Sequence, residues 1–206
     1  MNSVVFSRSR LCAGAIVLAV WQLTGCVAGQ TIALDHEPAE TASPDTGIAV
    51  QLSVTDQREY VLSGKEPPDY IGQYRAGFGN PWNVTTASKL SFADNLAEDI
   101  GEELQNLGFS LAESGADGKL NVDIRDWNFD TYSNGEIWCE IDVSVLAADG
   151  SKLASSTVKE SREFKGSVWV GAKSAMEEGV PQIYDEVVDA ILRSNQAVLD
   201  ALVNLD

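Results

Sequence analysis

Residues 137–164 read IWCEIDVSVLAADGSKLASSTVKESREF. Ile137, Cys139, Ile141, Val143 and Val145 recur at every second position, alternating with Trp138, Glu140, Asp142 and Ser144. A period of two marks a strand with one buried face. Asp149-Gly150 is a hairpin turn signal, so the pattern predicts a second strand over about residues 152–164. Just upstream, Leu120, Val122 and Ile124 open another alternating run. Three such strands in succession form an antiparallel meander.

The pattern changes on either side of this block. Ile48, Val50, Leu52 and Val54 alternate and predict an earlier strand. Leu90, Ala93, Leu96, Ala97, Ile100, Leu104 and Leu107 recur at helical spacing instead. Ser91 and Asp94 are placed as a capping box, and Gly108 suits the stop. After the meander, Ile183, Val187, Ile191, Val198 and Leu202 predict one long C-terminal helix with Pro181 in its first turn. The order is strand, helix, three strands, helix. It predicts an α/β (α+β) two-layer sandwich, with two helices on one face of a four-stranded mixed sheet. Residues 47–206 are enough for one domain with a sizeable core.

Thirty-one acidic residues against 14 Lys and Arg give a formal charge of -17. That balance argues against nucleic acid, whose phosphates need basic clusters. The single histidine, His36, lies outside residues 47–206, so Ser-His-Asp catalysis has no base there. No Gly-rich phosphate loop and no Cys or His pairs at metal spacing occur. Asp123, Asp126, Asn128 and Asp130 do not fit a calcium loop. No catalytic residue, metal or cofactor is expected, and the chain is not read as an enzyme. Cys139, on the apolar face of its strand, is expected to behave as a small buried hydrophobe. Arg58, two residues after Asp56, is expected to pair locally with an acid, and an anion-binding arginine is the alternative.

The first residues have a different character. Arg8 and Arg10 precede a short apolar run over residues 11–21, the order of a secretory signal peptide. The run is too short to span a bilayer. It ends at Leu23-Thr24-Gly25-Cys26, which resembles the bacterial lipobox. That resemblance implies cleavage before Cys26 and acylation of the cysteine, with two or more chains holding the protein stably on a membrane. Removing residues 1–25 deletes two arginines and no acid, so the mature charge is about -19, from -17 - 2. Only Cys139 would remain as a free thiol. Val27, rather than Asp, implies sorting to the inner leaflet of a Gram-negative outer membrane, with the domain facing the periplasm. Residues 26–46, rich in Pro, Ser, Thr, Ala and acids, are expected to form the lipidated cysteine and a flexible tether. Such a tether would hold the domain about 25 Å from the membrane. His36 would then be solvated.

Residues 60–82, YVLSGKEPPDYIGQYRAGFGNPW, interleave aromatics with Gly and Pro. They are expected to form a long loop. Tyr70, Tyr74, Phe78 and Trp82 either anchor a partner or pack as a cover on the sheet edge.

Taken together, the chain resembles the YajG-like family of bacterial lipoproteins. The resemblance rests on the lipobox, Val54-Thr55-Asp56-Gln57-Arg58, Leu107-Gly108-Phe109, Leu120-Asn121-Val122, the strand and turn over residues 141–150, and the final helix. In element order the chain is also similar to lipopolysaccharide-assembly lipoproteins and to auxiliary lipoproteins of envelope lipid transporters. The YajG-like family implies an address and a fold but no reaction. The expected role is a non-catalytic accessory protein that docks on an envelope partner. The alternative is a carrier of lipid or another apolar ligand.

Overall fold

The computed structural model describes residues 30–38, 42–75, 80–131, 135–164 and 172–205. It contains one mixed sheet of eight strands, with the longer helices packed on one face. The meander is as the alternation predicts. Strands β6 (Gly118–Asp130), β7 (Gly135–Ala147) and β8 (Lys152–Phe164) pair antiparallel in sequence order. Leu120, Val122 and Ile124 face Val145, Val143 and Ile141 across the β6–β7 ladder, and all six are at most 1% exposed. The register slips between Ile124 and Asp126, so the buried set continues at Trp127 and Phe129. One extra residue moves every later side chain to the opposite face. That slip puts Asp126, Asn128 and Asp130 on the same face as Asp123, which simple alternation would not.

Four strands are only half the sheet. Strand β2 (Ala49–Asp56) runs parallel to the first part of β6. Strand β3 (Tyr70–Arg75) continues along the same edge of β6, with Gln73 opposite Asp130. Strand β4 (Pro81–Thr86) returns antiparallel to β3, so most of the expected loop's second half is a strand pair. Gly72 is required there, because a Cβ on it would lie 2.4 Å from the Phe129 ring. Strand β1 (Gln30–Ile32) pairs parallel with the end of β4, and the two-residue β5 (Ser110–Leu111) pairs with the start of β2.

A single turn, α1 (Glu59–Leu62), follows β2. Helix α2 (Phe92–Asn106) is capped by Ser91, whose hydroxyl accepts from the Asp94 amide. It stops before Gly108, which holds a φ of 89° that other residues avoid. The predicted long C-terminal helix is two helices, α3 (Ala172–Ile191) and α4 (Gln196–Val203). Pro181 lies inside α3, not in its first turn. Asn195 separates the two helices by capping α4 at Val198 N and donating to Ser156 Oγ on β8.

The expected tether is also corrected. Residues 30–37 belong to the folded unit: β1 extends the sheet, and Ile32 and Leu34 are buried in the core. Ser43 N donates to the Asn106 carbonyl at the end of α2, and Thr46 N to the Gly108 carbonyl just after it. Among the described residues, no helix is long and apolar enough to cross a membrane.

Candidate functional site

Buried charge marks two corners of the domain. The first is the junction of β2 and β3, placed end to end along β6. Arg58 sits there, fully buried. Its Nε and Nη2 donate to the two Asp56 carboxylate oxygens at 2.9 and 2.7 Å. Its Nη1 donates to the Tyr70 carbonyl at 2.7 Å. The guanidinium carbon lies 5.5 Å from the Tyr60 ring centroid and 5.0 Å from that of Phe92. Arg58 therefore pairs locally, as expected, but as a saturated internal cation. Several polar side chains around it are also committed, while the buried Trp127 Nε1 meets no acceptor among the described residues. Tyr60 Oη donates to the Trp127 carbonyl at 2.6 Å, and Trp138 Nε1 donates to Asp126 at 3.0 Å. Asp126 and Asn128 are thus hydrogen-bond acceptors for aromatic groups, and Asp130 is held by Arg75. Among the described residues, no group of His, Cys, Asp or Glu is placed to hold a metal.

The second corner contains His36, which is buried rather than solvated. Nδ1 lies 2.7 Å from Asp185 Oδ1 on α3, and Nε2 lies 3.2 Å from Glu103 Oε2 on α2. Both ring nitrogens thus lie within hydrogen-bond distance of a carboxylate oxygen. Arg193 donates to both Glu103 oxygens at 2.9 and 3.0 Å. Burial pushes the Glu103 carboxyl up, but Arg193 and His36 outweigh it and hold the group below its ordinary value. Beside the segment a cleft of about 420 Å³ is lined by Asp35, Glu98, Asp99 and Glu102, among others. Burial raises the Asp99 carboxyl against a hydrogen bond from Tyr184. This cleft is lined by carboxylates, which do not suit an acyl chain. Nothing in residues 27–46 signals this corner, because His36 meets partners 67 and 149 positions away.

The expected site residues separate. Cys26 and Phe78 lie outside the described residues. Tyr70 is 2% exposed, and its hydroxyl donates to Asn128, so it cannot anchor a partner. Tyr74 and Trp82 are cross-strand neighbours in the hairpin, each half-buried. Cys139 is buried, and desolvation pushes its thiol up to about 11.

No family profile matches the chain, and no curated protein matches it. Solved structures similar to it include a Xanthomonas campestris protein of the DUF330 family, at 19% identity over 77% of this chain and 91% of that one, with a TM-score of 0.49. A PelC dodecamer from Paraburkholderia phytofirmans is 13% identical, over 81% and 93% of the two chains, with a TM-score of 0.41. A lipoprotein from Neisseria meningitidis is 12% identical, over 66% and 97%, with a TM-score of 0.29. Likeness at this level assigns neither family nor activity.

Proposed function

We propose that this chain is a non-catalytic, lipid-anchored protein of the Gram-negative envelope that docks on another envelope protein. The observation that carries the reading is Leu23-Thr24-Gly25-Cys26, closing a short apolar run and followed closely by the first strand at Gln30. Acylation at Cys26 would fix the domain to a membrane, and Val27 favours the outer membrane. The core supports docking over carriage. Leu96, Ile100, Leu104, Val187, Val188 and Ile191 are 0–1% exposed and pack into one cluster with the sheet. The sheet face opposite the helices is polar and carries Arg125, Asp142, Thr157 and Lys159. It is a polar surface open to a partner.

Cys26→Ser is expected to leave an unacylated protein that no longer sediments with membranes. Unchanged mass and membrane retention would defeat the anchoring reading. A photocrosslinking residue at Ser155, exposed on the open face, is expected to trap a discrete envelope protein in the native host. No adduct there, while the protein remains anchored, would defeat docking through this face.

A further inference from the structure

We infer that the outer edge of β8 pairs with β8 of a second copy of this chain, antiparallel about a two-fold axis at Ser161. The inference goes beyond docking on an envelope partner and does not depend on acylation at Cys26. Among the described residues, β8 pairs with β7 alone, and no strand borders its other side along all 13 residues. The outermost strands at the far side of the sheet, β1 and β5, have only three and two residues. A short edge offers little to pair with, whereas a long one presents a row of N–H and C=O groups ready for another strand. The side chains agree with an outermost position. Ser155, Thr157, Lys159, Ser161 and Glu163 are exposed on the open face, and on the helix side Glu160 and Arg162 are only half-buried.

Charge selects the occupant and the register. Residues directly opposite in an antiparallel pair share a face, and unlike charges there stabilise while like charges repel. With Ser161 facing itself, Lys159 meets Glu163 of the second copy on the open face, and Glu160 meets Arg162 of the second copy on the helix side. The two-fold repeats both pairs. Moving the axis one residue either way sets Glu160 against Glu160 or Arg162 against Arg162. Among registers that keep both helix layers on one side, only the axis at Ser161 opposes two different pairs of unlike charge. The charges that keep an edge from pairing indiscriminately therefore admit this one partner. Glu163 also lacks a cation in its own copy. It stands opposite exposed Glu136 on β7, and neither forms an ion pair among the described residues. Lys159 is 63% exposed and lies 3.0 Å from Glu140, and its three donors can serve a second carboxylate. Arg162 bridges Glu160 and Glu186 of its own copy and has five donors to share. The pairing joins the two sheets edge to edge and leaves the open face uncovered.

The test is a cysteine on the axis. Opposed Cα atoms lie about 4.5–5.5 Å apart, within reach of a disulfide, so Ser161→Cys can bond to itself across the seam. The full chain carrying Ser161→Cys is oxidised with copper–phenanthroline in envelopes of its native host. Buried Cys139 does not compete, and mass spectrometry maps the linked peptides. A dimer joined through position 161 is expected, in at least about five-fold higher yield than from Thr157→Cys, which the register holds about 27 Å from its copy. Adding Lys159→Glu should lower the yield about three-fold, and exchanging the charges with Lys159→Glu and Glu163→Lys should restore it. Equal yields from the two cysteines, or no dimer joined through position 161 in protein that melts within about 2 °C of wild type, overturn the pairing. A disulfide from position 161 to a different protein overturns the second copy as occupant. Failure of the charge exchange to restore the yield overturns the register.

Discussion

Arg58 and His36 are both buried basic side chains enclosed by acceptors, yet they do different work. Arg58 closes a local circuit. Its carboxylate partner is two residues away, and its carbonyl acceptors are ten and twelve away. It seals the joint where β2 ends and β3 begins. His36 closes a distant circuit, joining the segment after β1 to α2 and α3. One corner preserves a sheet edge, and the other fastens the N-terminal segment to the helices. The same rule, that a buried polar group must meet its partners, serves both.

Breaking the local circuit should cost most. Arg58→Ala leaves the Asp56 carboxylate and two backbone carbonyls without their donor, at roughly 3–5 kcal/mol. At about 2–4 °C per kcal/mol for a chain of this size, Tm should fall by roughly 6–20 °C. A fall under about 2 °C in thermal unfolding would place the junction's stability elsewhere.

The distant circuit should cost less and depend on pH. Glu103→Gln weakens the charge-assisted bonds from Arg193 and His36, at about 1.5–3 kcal/mol. Because the folded carboxyl is held below its ordinary value, its contribution is present above that value, 4.5, and is lost as pH falls through the folded one. Asp99 and Asp189, raised by burial, act in the opposite sense, each gaining stability as it protonates. The difference between wild type and Glu103→Gln isolates Glu103. It should be largest near neutral pH and shrink below about pH 4. A difference that stays flat from pH 7 to pH 3 would break this assignment.

The smallest expected effect is at Cys139, which takes part in neither circuit. With its thiol pushed up to about 11, alkylation at pH 8 should be negligible until the domain unfolds. Rapid native labelling would show that the β7–β8 region opens.

The same contrast explains what the sequence disclosed. The strands β2, β6, β7 and β8 are legible because each buries one face over 8 to 13 residues, long enough for alternation to register. Helix α2 is legible through its periodicity and the Ser91 cap. Asp56 and Arg58 are legible because their contact is local. The hairpin is not, because Gly72 offers no side chain and a bulge between Tyr70 and Gly72 interrupts the alternation. Strand β1 has three residues, too few to show a period, and only tertiary pairing with β4 makes it a strand. The break between α3 and α4 was hidden because apolar spacing continues through it. Of the candidate site, Tyr74 and Trp82 were visible as aromatics, but their place at one end of the sheet came from pairings no local pattern encodes.

Strand β1 also decides where a usable recombinant fragment must begin. A version starting at Gly47 would match the boundary suggested by composition. It would nonetheless strip Ile32 and Leu34 from the interior, each contributing about 1.5–3 kcal/mol, and leave Glu103 without His36. It would also bare the outer edge of β4 along Val84, Thr85 and Thr86, a template for strand exchange between molecules. Such a fragment should clump, whereas one retaining Gln30 and the residues just before it should remain monodisperse.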